Sequence, residues 1–323
     1  MVLAQTSAGP ARPARAALPA AHVRSAAPRR ASRWTASSLG NRALGTCAPR
    51  HRAPRSAALL LAALLLVAAG AAGAQTAPGR VVRFPSVPAP GEKGLVLRGW
   101  FTQPDVPQGR GRVPGIVLMH GCGGPKAPSH RWAAQLAVWG YAALVLDSFG
   151  PRGILQVCSD SPRLLPTQRT GDAYGALQFL QGQRGVDPDR IGLMGWSHGG
   201  SSALWAVEGA WSLAHQPYPW LRFRATSVFY PSCNFSHPAF TTPVLMLMGS
   251  ADDWTPASPC RRMIKTAAAG DSPIQLVVYP GATHAFDAVR MTVEAYGHTL
   301  EYNPGATLDA QYRVREFFDK YLR

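Results

Sequence analysis

Ile191-Gly192-Leu193-Met194-Gly195-Trp196-Ser197-His198-Gly199-Gly200 is the stretch on which the rest of the chain turns. Its first four residues suit a strand buried on both faces. The next five form G-x-S-x-G, and a helix is expected after Gly199. In that setting the glycines allow a sharp turn and a close approach of helix to sheet. The turn lifts the Ser197 hydroxyl to a helix N-terminus, where the positive end of the dipole favours developing negative charge. By itself the pattern also fits a glycine-rich strand–helix turn with no chemistry, so its meaning depends on what lies outward from it.

On both sides, short apolar runs alternate with helical patterns. Gly94 to Phe101 alternates like an exposed edge strand. Gly115–Met119 and Ala142–Leu146 are continuous apolar runs, as expected of fully buried strands. Ala225–Tyr230, Val244–Met248 and Ile274–Tyr279 read as three more strands. Helices are expected at Arg131–Trp139, Thr167–Gln183, Ala257–Ala269 and Leu308–Tyr321. Strands alternating with helices, without an internal repeat, predict an α/β fold with a mostly parallel central sheet and helices on both faces. Chemistry in such sheets sits outside the carboxyl ends of the strands.

A serine hydroxyl is a poor nucleophile unless a base takes its proton. His284 lies just past the last strand, in Tyr279-Pro280-Gly281-Ala282-Thr283-His284-Ala285-Phe286. The base needs a carboxylate to fix its tautomer. Asp252 follows the strand at Val244–Met248, in Gly249-Ser250-Ala251-Asp252-Asp253-Trp254-Thr255-Pro256. Taken singly, His284 could be a surface loop residue and the Asp pair an N-cap for the helix at Ala257. Three such residues at successive strand ends argue against coincidence. His298 is a weaker rival for the base. Two backbone N–H groups are expected to receive the oxyanion, those of His198 and of Cys122 in His120-Gly121-Cys122-Gly123-Gly124.

The order Ser–Asp–His is that of α/β-hydrolases, and the motifs together resemble the dienelactone hydrolase family. The resemblance runs from about Gly94 to the C-terminus. It is carried by HGCGG at 120–124, DSFGPRG at 147–153, GWSHGG at 195–200, GSADDWTP at 249–256 and YPGATHAF at 279–286. It implies Asp252, not Asp253, as the triad acid and His284 as the base. The namesake enzymes use a cysteine nucleophile where this chain has Ser197, so the resemblance implies a general carboxylesterase rather than activity on dienelactone itself.

Four further residues could meet substrate. Arg152, in the loop after the second buried strand, could take a substrate carboxylate in bidentate fashion, or it could simply be solvated or paired. Trp196, Tyr230 and Trp254 flank the expected cleft and could line a pocket or belong to the core.

Of the chain's 33 basic residues, ten are Arg within residues 1–74, which contain no Lys, Asp or Glu. Residues 75–323 therefore carry a net charge of only +6. They contain no run of interleaved basic and aromatic residues, which argues against a nucleic-acid partner. Residues 1–55 are Arg- and Ala-rich without helical or strand period, and are expected to be disordered. They are either a translated leader or the product of an upstream-misassigned start. Arg50 to Arg55 is basic, Ala57 to Gly73 is apolar, and Ala72-Gly73-Ala74 is a small-residue exit. These are the parts of a secretory signal, occupying 56–74 and cleaved near Ala74. An uncleaved anchor is the alternative. Cleavage would leave residues 75–323 as one exported catalytic domain, periplasmic or secreted, without stable membrane insertion.

Cys122, Cys158, Cys233 and Cys260 are an even number in an oxidising compartment. Cys122 and Cys158 follow consecutive strands, as do Cys233 and Cys260, so the expected disulfides are Cys122–Cys158 and Cys233–Cys260. No Cys/His spacing suits zinc, and no metal or cofactor is expected. The expected function is hydrolysis of a small-molecule ester or lactone through an acyl-enzyme on Ser197. The alternatives are an exported peptidase or amidase of prolyl-oligopeptidase type and a non-catalytic envelope binding protein on the same fold. Oligomeric state is not legible.

Overall fold

The computed structural model describes residues 79–88, 91, 93–105, 111–215, 220–267 and 272–323. The expected leader, apolar segment and cleavage point near Ala74 lie outside these residues. Among the described residues, no helix is long and apolar enough to cross a membrane.

Among the described residues, eight strands form one sheet in the order β1-β2-β4-β3-β5-β6-β7-β8. They are β1 (Arg80–Pro85), β2 (Val96–Thr102), β3 (Val113–Met119), β4 (Ala142–Asp147), β5 (Val186–Trp196), β6 (Thr226–Phe229), β7 (Val244–Gly249) and β8 (Ile274–Tyr279). From β4 through β8 every neighbouring pair is parallel, and β1 and β2 run antiparallel at one edge. The central strands carry apolar side chains on both faces. Every residue of β4 and β7 is buried, as is every residue of β3 after Val113. This is the fold class the sequence predicts.

The expected edge strand at Gly94–Phe101 is corrected. β2 is internal, paired with β4 on one side and β1 on the other. Its alternation arises because Leu97 and Phe101 face the core while Val96 and Arg98 face solvent. Alternation reports a half-exposed face, not an exposed edge. β1 has the same pattern, with Val82 and Phe84 inward and the two arginines outward.

The α-helices of the described residues are α1 (Ala127–Val138), α2 (Thr170–Gln181), α3 (His198–Val207), α4 (Gly209–His215), α5 (Ala257–Thr266) and α6 (Pro304–Leu322). The expected helix from Thr167 is divided: Pro166–Arg169 forms a 3-10 turn and α2 begins at Thr170. A hairpin of β9 (Thr292–Ala295) and β10 (His298–Glu301) separates β8 from α6. Its strands are short and mostly polar, and the sequence reading does not contain them.

Candidate active site

Ser197 stands between the last residue of β5 and the first of α3, with φ 50° and ψ −121°. Such a conformation is costly for a residue with a Cβ and persists only where the surroundings impose it. They do so by contact. A Cβ on Gly195 would lie 2.4 Å from the Gly199 carbonyl oxygen, and one on Gly199 would lie 2.2 Å from that of Met119. The two glycines let α3 press against the ends of β5 and β3. The Ser197 N–H donates to the Phe229 carbonyl at 2.9 Å, fixing the turn to β6.

The other two residues arrive on loops after β7 and β8. His284 Nε2 lies 3.0 Å from Ser197 Oγ, and Nδ1 lies 2.9 Å from Asp252 Oδ2. Asp252 and His284 are both buried. Asp252 Oδ1 accepts the N–H groups of Trp254 and Thr255 at 3.0 and 2.8 Å, which aims Oδ2 at the imidazole. With Asp252 Oδ2 as its acceptor, Nδ1 carries the imidazole proton, leaving the Nε2 lone pair to accept from Ser197. This relay can take a proton from the hydroxyl as it attacks. Asp253 points elsewhere. It is about half exposed and lies 3.5 Å from His298, which stacks on Trp254 rather than approaching Ser197.

His198 opens α3, so its N–H has no acceptor within the helix. Cys122 follows Gly121 in the loop after β3, and both line the same cleft as Ser197. The N–H groups of Cys122 and His198 have no protein acceptor among the described residues. Cys122 is joined to Cys158, and Cys233 to Cys260. The first bridge ties the loop after β3 to the loop after β4, and the Cys122 carbonyl accepts from the Val157 N–H at 2.9 Å.

The cleft holds about 360 Å³. Trp196, Tyr230 and Trp254 all line it, together with the hairpin residues Val293, Tyr296 and Leu300. Lys126 supplies a positive charge to the lining. Arg152 is not part of the lining, which corrects the substrate-carboxylate expectation. Its guanidinium grips both oxygens of Asp172, at 2.7 and 3.0 Å, and also donates to the Ser148 carbonyl at 2.7 Å. Asp172 is buried, and Arg152 is the partner that satisfies it. Among the described residues no group of three or more His, Cys, Asp or Glu is arranged to hold a metal ion.

Among the buried charged residues that escape the sequence reading, Asp287 and Arg169 bear on the cleft. Asp287 accepts from Trp132 Nε1 at 2.8 Å, Trp196 Nε1 at 3.0 Å and the Tyr230 hydroxyl at 2.6 Å. It thereby fixes two aromatic walls of the cleft. Burial and the adjacent Asp287 charge push the Tyr230 hydroxyl pKa well up. Its position three residues after His284 was the available signal. Arg169 is fully buried behind the cleft, donating to the His120 carbonyl at 3.0 Å and to His198 Nδ1 at 2.9 Å. An arginine at the start of a helix, against the dipole, was the available hint.

Antiparallel lead strands, a parallel remainder and a serine on a strained strand–helix turn define an α/β-hydrolase. The sequence matches the dienelactone hydrolase family over residues 97–322, and the chain belongs to that family. It is therefore a hydrolase. An uncharacterized protein of Mycobacterium tuberculosis is 30% identical over 208 residues, covering 60% of this chain and 69% of the relative. A Bradyrhizobium protein named "Probable 2-oxo-3-(5-oxofuran-2-ylidene)propanoate lactonase" is 26% identical over 207 residues, covering 59% of this chain and 84% of its own. The dienelactone hydrolase of Anabaena variabilis shares the fold at TM-score 0.53 and 20% identity, over 75% of this chain and 99% of that structure.

Proposed function

We propose that the chain hydrolyses carboxylic esters or lactones through a covalent acyl-enzyme on Ser197. The observation that carries the reading is the hydrogen-bonded line Asp252–His284–Ser197 opening into an apolar cleft. Ser197 Oγ attacks the ester carbonyl and its proton passes to His284 Nε2. The carbonyl oxygen takes up negative charge facing the N–H groups of Cys122 and His198. As the tetrahedral species collapses, the C–O bond to the alcohol breaks and the imidazolium returns its proton to the departing oxygen. Water then attacks the acyl group with His284 again as base, releasing the acid and restoring Ser197. In a lactone the departing alcohol stays attached to the acyl group, and one hydroxy acid leaves.

The predominantly apolar lining favours substrates of modest size with an apolar acyl or alcohol part. Two disulfides in the described residues support a place outside the reducing cytoplasm, as does the signal-like segment at 56–74. A panel of p-nitrophenyl esters, lactones and aminoacyl amides tests the reading. Wild-type protein is expected to turn over esters or lactones and to be labelled by a fluorophosphonate at Ser197, and Ser197→Ala to do neither. Labelling at another residue, or undiminished turnover in the variant, refutes the mechanism. Preference for the amides would favour a peptidase.

A further inference from the structure

Arg169 has lost its water without gaining a carboxylate in hydrogen-bond contact. Asp172, three residues on, has both oxygens occupied by Arg152. Nε and Nη2 of Arg169 have no acceptor among the described residues. Only Nη1 is engaged, by the His120 carbonyl and His198 Nδ1. A buried cation with unused donors is expensive to keep. The Phe149 ring face lies 5.1 Å from the guanidinium carbon, a modest compensation. Burial lowers the Arg169 pKa to about 9, which leaves it charged at neutral pH.

What this cation holds is specific. His120 is followed directly by Gly121 and Cys122, the loop that carries one expected oxyanion donor. His198 carries the other. Its ring is clamped on both sides, accepting from Arg169 at Nδ1 and donating from Nε2 to the Leu164 carbonyl at 2.8 Å. The His120 ring is fixed as well, donating from Nδ1 to the Gly121 carbonyl at 2.8 Å. Burial, reinforced by the Arg169 charge, lowers both histidine pKa values, so the rings stay neutral and the guanidinium is the local positive charge. One buried side chain thus joins the exit of β3 to the start of α3.

We propose that Arg169 is the positioning residue of the oxyanion hole: it sets the spacing of the Cys122 and His198 N–H groups, and its charge favours the oxyanion across them. The proposal rests on the serine-hydrolase reading above. Other charges that bear on the guanidinium are Asp172, Arg152 and Asp147, and substitutions at 169 leave all of them in place.

The test begins with the wild type. If it neither turns over esters nor is labelled at Ser197, the serine-hydrolase reading has failed, independently of Arg169. With an active wild type, Arg169→Met and Arg169→Gln remove the charge and Arg169→Lys keeps it on one nitrogen. Circular dichroism checks each fold. The neutral variants are expected to lose about 100-fold in kcat, the scale of an oxyanion donor, with KM changed by less than about threefold. Arg169→Lys is expected to lose about tenfold. A trifluoromethyl ketone labelled with 13C at its carbonyl forms a hemiketal on Ser197. Its resonance follows ionisation of the oxyanion, which is expected to shift upward by about one pH unit or more in the neutral variants. A merely structural role would not move that titration. Folded neutral variants with wild-type kcat and wild-type hemiketal titration overturn the proposal. If neither neutral variant folds, wild-type values for both in Arg169→Lys overturn it.

Discussion

Ser197 occupies its strained conformation because two glycines leave no room for side chains on either side of it. The contacts rank their substitutions. A Cβ at Gly199 would enter the carbonyls of Met119 and His120 at 2.2 and 2.3 Å, whereas one at Gly200 would meet the Phe229 carbonyl oxygen at 3.1 Å. Gly199→Ala is expected to destabilise the fold by about 3 kcal/mol, and Gly200→Ala by distinctly less, as measured by urea unfolding. The acid is also decided at single-residue scale. Asp252→Asn is expected to lower kcat by about three to four orders of magnitude, because the amide cannot hold the Nδ1 proton tautomer. Asp253→Asn, on the exposed side with His298, is expected to stay within about threefold of wild type. Equal losses in p-nitrophenyl ester assays would mean that the acid is misassigned.

At the scale of elements, the two disulfides differ in what they restrain. Cys122–Cys158 ties down the loop proposed to carry an oxyanion N–H, while Cys233 follows β6 and Cys260 lies within α5. The Cys122→Ser/Cys158→Ser pair keeps the backbone donor and frees only the loop. Removing either bridge is expected to cost about 2–4 kcal/mol of stability. Only loss of the first is expected to lower kcat by about tenfold or more when stability is restored by working at low temperature. Equal kcat values for the two double variants would show that the first bridge does not restrain the donor. The β9–β10 hairpin acts on a different quantity. Tyr296 packs 5.7 Å from Trp254, ring centre to ring centre, and both line the cleft. Tyr296→Ala is expected to change KM across a series of acyl chain lengths while leaving kcat within about twofold, since it removes binding surface without touching the relay.

For the whole molecule, two histidines couple folding to pH. Burial pulls His198 from 6.5 to about 3, and His120 well below 6.5. In the unfolded chain both titrate near 6.5, so from about pH 6.5 down to the folded value, about 3 for His198, unfolding takes up protons that the native state refuses. Stability therefore falls as pH drops through that window and is fully regained above it. The slope is at most about 1.4 kcal/mol per pH unit for each histidine. Urea unfolding at pH 7.5 and 5.0 measures the drop, and His198→Gln is expected to make it shallower. A flat profile would mean that the rings are not held neutral.

Much of the architecture was legible because buried strands leave a local trace. Gly115–Met119, Ala142–Leu146 and Val244–Met248 are apolar at every position, and short runs of this kind between turn residues suit strands covered on both faces. The G-x-S-x-G turn, the Asp252 loop and the His284 loop were legible because each follows such a strand, and the parallel sheet brings the carboxyl ends together. The disulfide pairing followed from the same adjacency of consecutive strands. What sequence could not supply were relations between side chains distant along the chain. That β2 is internal depends on a pairing with β1, which the alternation of either strand leaves undetermined. Whether Arg152 meets substrate or a structural partner stayed open in the sequence because that partner, Asp172, lies twenty residues away on α2. Arg169 and Asp287 were not singled out in the sequence, and only packing shows them buried, since burial depends on what the rest of the chain lays over them. Local periodicity determined the layers and the three strand ends. The tertiary structure decided which charges are interior and which donors they hold, because electrostatic and hydrogen-bond partners are chosen by distance in space.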